Sequence, residues 1–186
     1  MVKFTCVCSS GWVSRRGGVS QWNKAFGESA LEACRYWHRE FLPLHMTLEA
    51  YGRYVNPESE PTYVKEGFRG YMERDISYTR WKMKRFKHTL PLVYKGKARS
   101  DTQANPHFRW SKEQKSGSIL AVVTFGVGNA DRGKPGNEIG INRTSSRISS
   151  NQIRDEFTAV SRDEAEQMAS VMEKQLDKEI EKVMEA

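Results

Sequence analysis

The chain has 186 residues, of which 38% are apolar and 28% charged, and it carries a net charge of +7. That length suits one domain with a modest core and much surface in loops and arms, and three cysteines (Cys6, Cys8, Cys34) are too few for a disulfide framework. No stretch reaches the ~20 consecutive apolar residues that cross a bilayer, and the opening MVKFTCVCSS is too short an apolar run for a secretory signal. The expectation is a soluble protein made in a reducing cytoplasm.

The charge is unevenly spread. Residues 63–115 hold 14 Lys/Arg against 5 Asp/Glu, a net +9. Residues 152–186 hold 5 against 10, a net −5. A basic middle and an acidic tail suit head-to-tail contact between identical subunits, and a basic middle alone suits an anionic partner such as nucleic acid. Solvated surface is the plain alternative for both.

In chain order, Lys3 to Cys8 alternates apolar and polar positions and reads as a short strand. Residues 11–18, GWVSRRGG, read as a loop, so 1–20 is expected to be an N-terminal arm. From Gln21 to Leu42 the apolar residues Trp22, Phe26, Ala30, Cys34, Trp37 and Phe41 recur in steps of three and four, the mark of a helix face. Gly27 is expected to weaken, bend or split that helix, and Pro43 to end it. Cys34 and His38 stand four apart, a metal-ligand spacing, but two ligands are not a site and the other candidates, Cys6, Cys8 and His45, are scattered. No metal or cofactor is expected. Residues 45–54 continue as helix broken near Gly52, and NPESEPT at 56–62 is turn-rich.

The organising stretch is Arg80 to Asp101. Its basic run Arg80, Lys82, Lys84, Arg85 and Lys87 predicts a charged helix over Ser77–Lys87 with Tyr78, Trp81 and Phe86 inward. Pro91 stops any helix before it and favours an extended Leu90. Leu92 and Val93 then form an extended anchor in the core, and Gly96 makes a turn that presents Lys95, Lys97 and Arg99. Residues 106–111 and Ser118–Val127 are expected to pair antiparallel at the centre of a small sheet, with Leu92 to Tyr94 alongside.

Residues 128–151 form a long Gly-rich loop, expected to order on assembly. Gly128 and Gly133-Lys134 have the spacing of a phosphate-cradling loop, but Pro135 stands where that chemistry needs Ser or Thr, so nucleotide binding is not expected. A capping box, Ser161 with Glu164, opens a helix over 161–185. Its apolar stripe runs Met168, Met172, Leu176, Ile180 and Met184 or Val183.

Tyr78, Lys82, Pro91-Leu92-Val93 and Gly96, followed by a sheet, Phe157 and a capped helix from Ser161, resemble the tail-completion or neck proteins of tailed bacteriophages, the head-tail joining and virion-morphogenesis group. The closest likeness is PLVYKGKARS at 91–100, similar to that group's segment of PLV, one residue, T-G and R-L-R; here Lys95 replaces the Thr and Lys97-Ala98 the Arg-Leu. The likeness covers Trp37 to Ser100 and the last thirty residues. Residues 1–20 and 128–151 have no counterpart in it.

The resemblance implies an α+β fold, a small antiparallel sheet packed by an N-terminal and a C-terminal helix with long loops or arms. It implies a structural virion protein of the neck without catalytic residues, in a homo-oligomeric ring, hexamer or dodecamer. Its partners would be a head-side connector or adaptor, a tail terminator or tail tube protein, and genomic DNA in the channel. Lys82, Arg85, Lys87, Pro91, Leu92, Val93, Lys95, Gly96, Lys97 and Arg99 would line an interface or that channel. The alternatives are a tail terminator or connector adaptor of the same particle, or a free basic nucleic-acid-binding module in which Trp81, Tyr94 and Trp110 stack bases. An enzyme is disfavoured: His88 or His107 with Asp101 is the one imaginable acid-base set.

Overall fold

A computed structural model describes residues 2–6, 19–54, 70–71, 74–93, 97–104, 106–112, 118–124 and 155–185. The fold is α+β. Its chain groups into two compact units, one of residues 1–38, 107–124 and 166–186, the other of residues 39–106 and 125–165.

The first unit contains a three-stranded antiparallel sheet in the order β1-β3-β2, with β1 Val2–Cys6, β2 His107–Lys112 and β3 Ile119–Thr124. The β-branched run of β3 takes the centre, where both edges are paired. Val2 faces Val123 across one ladder, and Phe108 faces Val123 across the other. The expected pairing of the 106–111 and 118–127 segments is present. Leu92 and Val93 do not join them, and Tyr94 lies outside the described residues: the N-terminal strand takes that edge.

Helix α1, Val19–Glu40, runs unbroken past Gly27. Trp110 on β2 explains why a glycine stands there. A Cβ on Gly27 would fall 2.2–2.6 Å from the indole carbons of Trp110, and the indole Nε1 donates to Glu28 Oε1 at 3.2 Å. Ala121, small and buried, lies opposite Trp110 on β3. The position expected to break the helix is therefore one where helix and sheet approach closely. One turn from the helix end, His38 meets the Phe108 ring edge-on at 5.8 Å and the Arg35 guanidinium lies 5.7 Å from that ring.

The C-terminal helix α5, Arg162–Glu185, opens on the expected capping box: Glu164 N–H donates to Ser161 Oγ at 3.2 Å and Ser161 N–H to Glu164 Oε2 at 3.3 Å. Within the first unit it runs antiparallel to α1. Tyr36 donates to Gln167 at 3.2 Å, and further along Glu179 has its carboxyl held low by Lys182's hydrogen bond, with the Lys24 charge adding to it. Of its predicted stripe, Met168 is buried, Met172, Leu176 and Ile180 are half-buried, and Met184 is exposed.

In the second unit a 3-10 helix, Leu42–Met46, follows α1, with Pro43 in its first turn. The residues expected to continue as helix instead form this turn and the single helical turn α2, Ala50–Arg53. Helix α3 spans Ile76–Phe86, opened by Asp75, whose side chain accepts from Ser77 N–H at 2.8 Å, and closed by Lys87 at φ 60°. Helix α4 spans Lys97–Ala104.

Candidate functional site

Seven side chains of the second unit build a buried polar network that reaches the start of α3. His45, at the end of the 3-10 helix, is fully buried and stacks on Tyr54 with centroids 4.1 Å apart. Its Nδ1 lies 2.8 Å from the Glu156 carbonyl oxygen. A carbonyl accepts only, so Nδ1 carries the ring proton. Tyr71 donates to the same carbonyl at 2.9 Å and its oxygen lies 2.7 Å from Nδ1. The Glu156 carboxylate is fully buried and takes a two-pronged contact from Arg74, at 3.0 and 2.5 Å. Glu164, also fully buried, accepts from Arg53 Nε at 2.9 Å and Tyr54 OH at 2.5 Å while serving the capping box. Arg53 also lies over the Phe41 ring, 5.5 Å from its centroid. Each buried carboxylate thus has a guanidinium partner, the condition under which burying such charge is tolerable.

Burial sets the titration of the group. It pushes the His45 imidazole down to about 3, against backbone hydrogen bonding from Glu156, and it raises the Tyr54 and Tyr71 phenols. His45 is therefore neutral when folded at neutral pH. Its folded value lies below the unfolded 6.5, so the unfolded chain takes up the proton first as pH falls. This part of the stability is fully present above pH 6.5 and is lost on acidification towards 3, by about 1.4 kcal/mol per pH unit. Urea unfolding of the wild type and of His45→Gln across pH 7 to 4 checks this. The wild-type slope should exceed the variant's by nearly one proton, and equal slopes would show that His45 does not carry it.

The network positions the basic segment. Arg74, bound to Glu156, stands immediately before the Asp75 cap of α3. Lys82 is buried on the inward side of that helix, donates to the Leu90 carbonyl and lies 5.8 Å from the Tyr78 ring centroid. Burial, and then the Arg74 charge, lower its ammonium to about 8. Its expected place on a partner-facing surface is corrected here: Tyr78, Lys82 and Phe86 share the inward stripe by their spacing of four, and a long alkyl chain can reach an acceptor from there. Trp81, expected inward, is 41% exposed.

Beyond α3 the expected extended anchor is a turn at Pro91 and Leu92, the latter at φ 54°. Pro91, Leu92 and Val93 are nonetheless buried. Lys95 and Gly96, with the turn assigned to them, lie outside the described residues. Lys97 and Arg99 stand on α4 rather than in a turn; Arg99 is exposed. Arg80, Lys84, Arg85 and Lys87 are exposed on α3 or just past its end. The basic surface is thus the outer face of α3, which Lys82 ties down from its inward side and Arg74 anchors at its start. The network itself was not foreseen, apart from Glu164 through its capping box: the partners of Arg53, Tyr54 and Arg74 lie 82 to 111 residues away.

Among the described residues no three His, Cys, Asp or Glu side chains gather as metal ligands. Cys34 is buried, and burial pushes its thiol up to about 12. Residues 128–151, with the phosphate-loop spacing, lie outside the described residues. No helix among the described residues is long and apolar enough to cross a membrane. Comparison with known proteins finds no matching protein family, no matching curated protein and no matching solved structure.

Proposed function

We propose that this chain is a structural virion protein of the neck of a tailed phage, one copy of a homo-oligomeric ring, hexameric or dodecameric, between the head-side connector and the tail. The reading starts from the likeness of residues 91–100 to the neck group. The observation that carries it is the anchoring of a basic helix: Pro91, Leu92 and Val93 are buried, Lys82 ties α3 to Leu90, and Arg80, Lys84, Arg85 and Lys87 are exposed. Such a surface suits charge-complementary assembly, with a connector on one side and a tail terminator or tail tube protein on the other. Mass spectrometry of purified particles, followed by reconstruction of the neck, tests it. The chain should appear in multiple copies at the head-tail junction; its absence there would end this reading.

A second reading is a nucleic-acid-binding module, favoured by Trp81, which is exposed beside Arg80 and Arg85 where a base could stack. A gel shift with single-stranded DNA should then weaken steeply as salt rises.

A further inference from the structure

We infer that the outer face of α3 docks the C-terminal half of α5 from a second copy of this chain, as an antiparallel helix pair. The inference deepens the ring reading and rests on it. Ile76, Arg80, Met83 and Lys84 follow one another at helical steps of four, three and one along the solvent face of α3, and Lys87 continues the line just past its end. Ile76 is 68% exposed and Met83 is 47% exposed, so the face pairs apolar with basic groups.

On α5, Glu173, Asp177, Ile180, Glu181 and Met184 repeat the same steps. The three acids are exposed, Ile180 is half-buried and Met184 is 51% exposed. Lys178 and Lys182 fall on a different flank of α5, and Lys174, seven residues before Glu181, borders the stripe, which keeps a negative sign with three acids against one lysine. Both stripes span about 16 Å at the α-helical rise.

Laid antiparallel, the stripes set Ile76 against Met184, Arg80 against Glu181, Lys84 against Asp177 and Lys87 against Glu173. Met83 then falls within one turn of Ile180. A parallel alignment puts Ile76 on Glu173 and Lys87 on Met184, leaving both ends mismatched. The contact uses different surfaces on the two copies, so it is heterologous, the type that propagates and closes into a ring when the rotation allows.

The test is sedimentation velocity of the full chain at low salt for wild type, Arg80→Glu/Lys84→Glu, Asp177→Lys/Glu181→Lys, and an equimolar mixture of the two variants. All four positions are exposed, and thermal unfolding confirms that the variants fold. The wild type should self-associate, each variant alone should lose at least about tenfold in affinity, and the mixture should recover it because each altered stripe then meets its complement. A wild type that stays monomeric at its highest soluble concentration overturns the contact. So does either variant associating like the wild type. So does loss of single-stranded DNA binding in the Arg80/Lys84 variant while its self-association is unchanged, which would make α3 a nucleic-acid face. If the chain is found in the particle but neither variant disturbs association, this contact falls and the ring stands. If the mixture rescues association but the particle lacks the chain, the virion reading falls and the contact stands.

Discussion

Glu164→Ala is expected to destabilise the protein by about 3–5 kcal/mol, the range for removing one partner of a buried ion pair. Three groups depend on that carboxylate. Arg53 Nε and Tyr54 OH donate to it at 2.9 and 2.5 Å, and the Ser161 N–H reaches its second oxygen at 3.3 Å. Its loss leaves a buried phenol without an acceptor and a half-buried guanidinium without its closest anion, and it opens the first turn of α5. Against a typical total stability of about 5–15 kcal/mol, that is a large share. Asp163, next to it, is the control. It reaches Arg53 at 3.7 Å but is 70% exposed, so Asp163→Asn should stay within about 1 kcal/mol. Chemical denaturation of both variants checks the pair. Equal losses would mean that the burial of Glu164 does not matter to the fold.

Gly27→Ala is expected to destabilise the protein as well, by less than Glu164→Ala. In most helix interiors alanine gains about 1 kcal/mol over glycine. Here the new methyl would sit 2.2 Å from an indole carbon of Trp110, far inside van der Waals contact. The indole cannot simply swing away: its Nε1 is held by Glu28 and its strand is paired with β3. Either α1 and β2 separate or Trp110 leaves its rotamer, and overpacking of this kind costs about 1–3 kcal/mol, occasionally more. A lower thermal midpoint for Gly27→Ala, partly restored by Gly27→Ala/Trp110→Leu, is the expected pattern. A stabilised Gly27→Ala would show that the helix and strand are not so close.

These two predictions mark where local pattern and tertiary context part. From sequence, Gly27 is a weak point in a helix. In the structure it is a contact surface, because the strand that needs the space lies more than eighty residues on. Lys82 makes the same point: in a basic run it reads as one more surface charge, yet its spacing from Tyr78 and Phe86 places it inward. The carbonyl it reaches, Leu90, is offered by a turn that only the folded chain forms. The two buried ion pairs join residues 82 and 111 apart, and one sequence holds no record of such pairings.

Periodicity and local chemistry determined the rest. Apolar steps of three and four outlined α1 and α5, α1 ended before Pro43, and Ser161 with Glu164 marked the start of α5, because each rests on bonds or sterics within a few residues. The β-branched run became the central strand for the same reason. Which strand lies beside it, which lysine is buried, and which arginine meets which glutamate were decided only by tertiary structure. Those choices depend on distances between segments that chain order leaves open until the core closes.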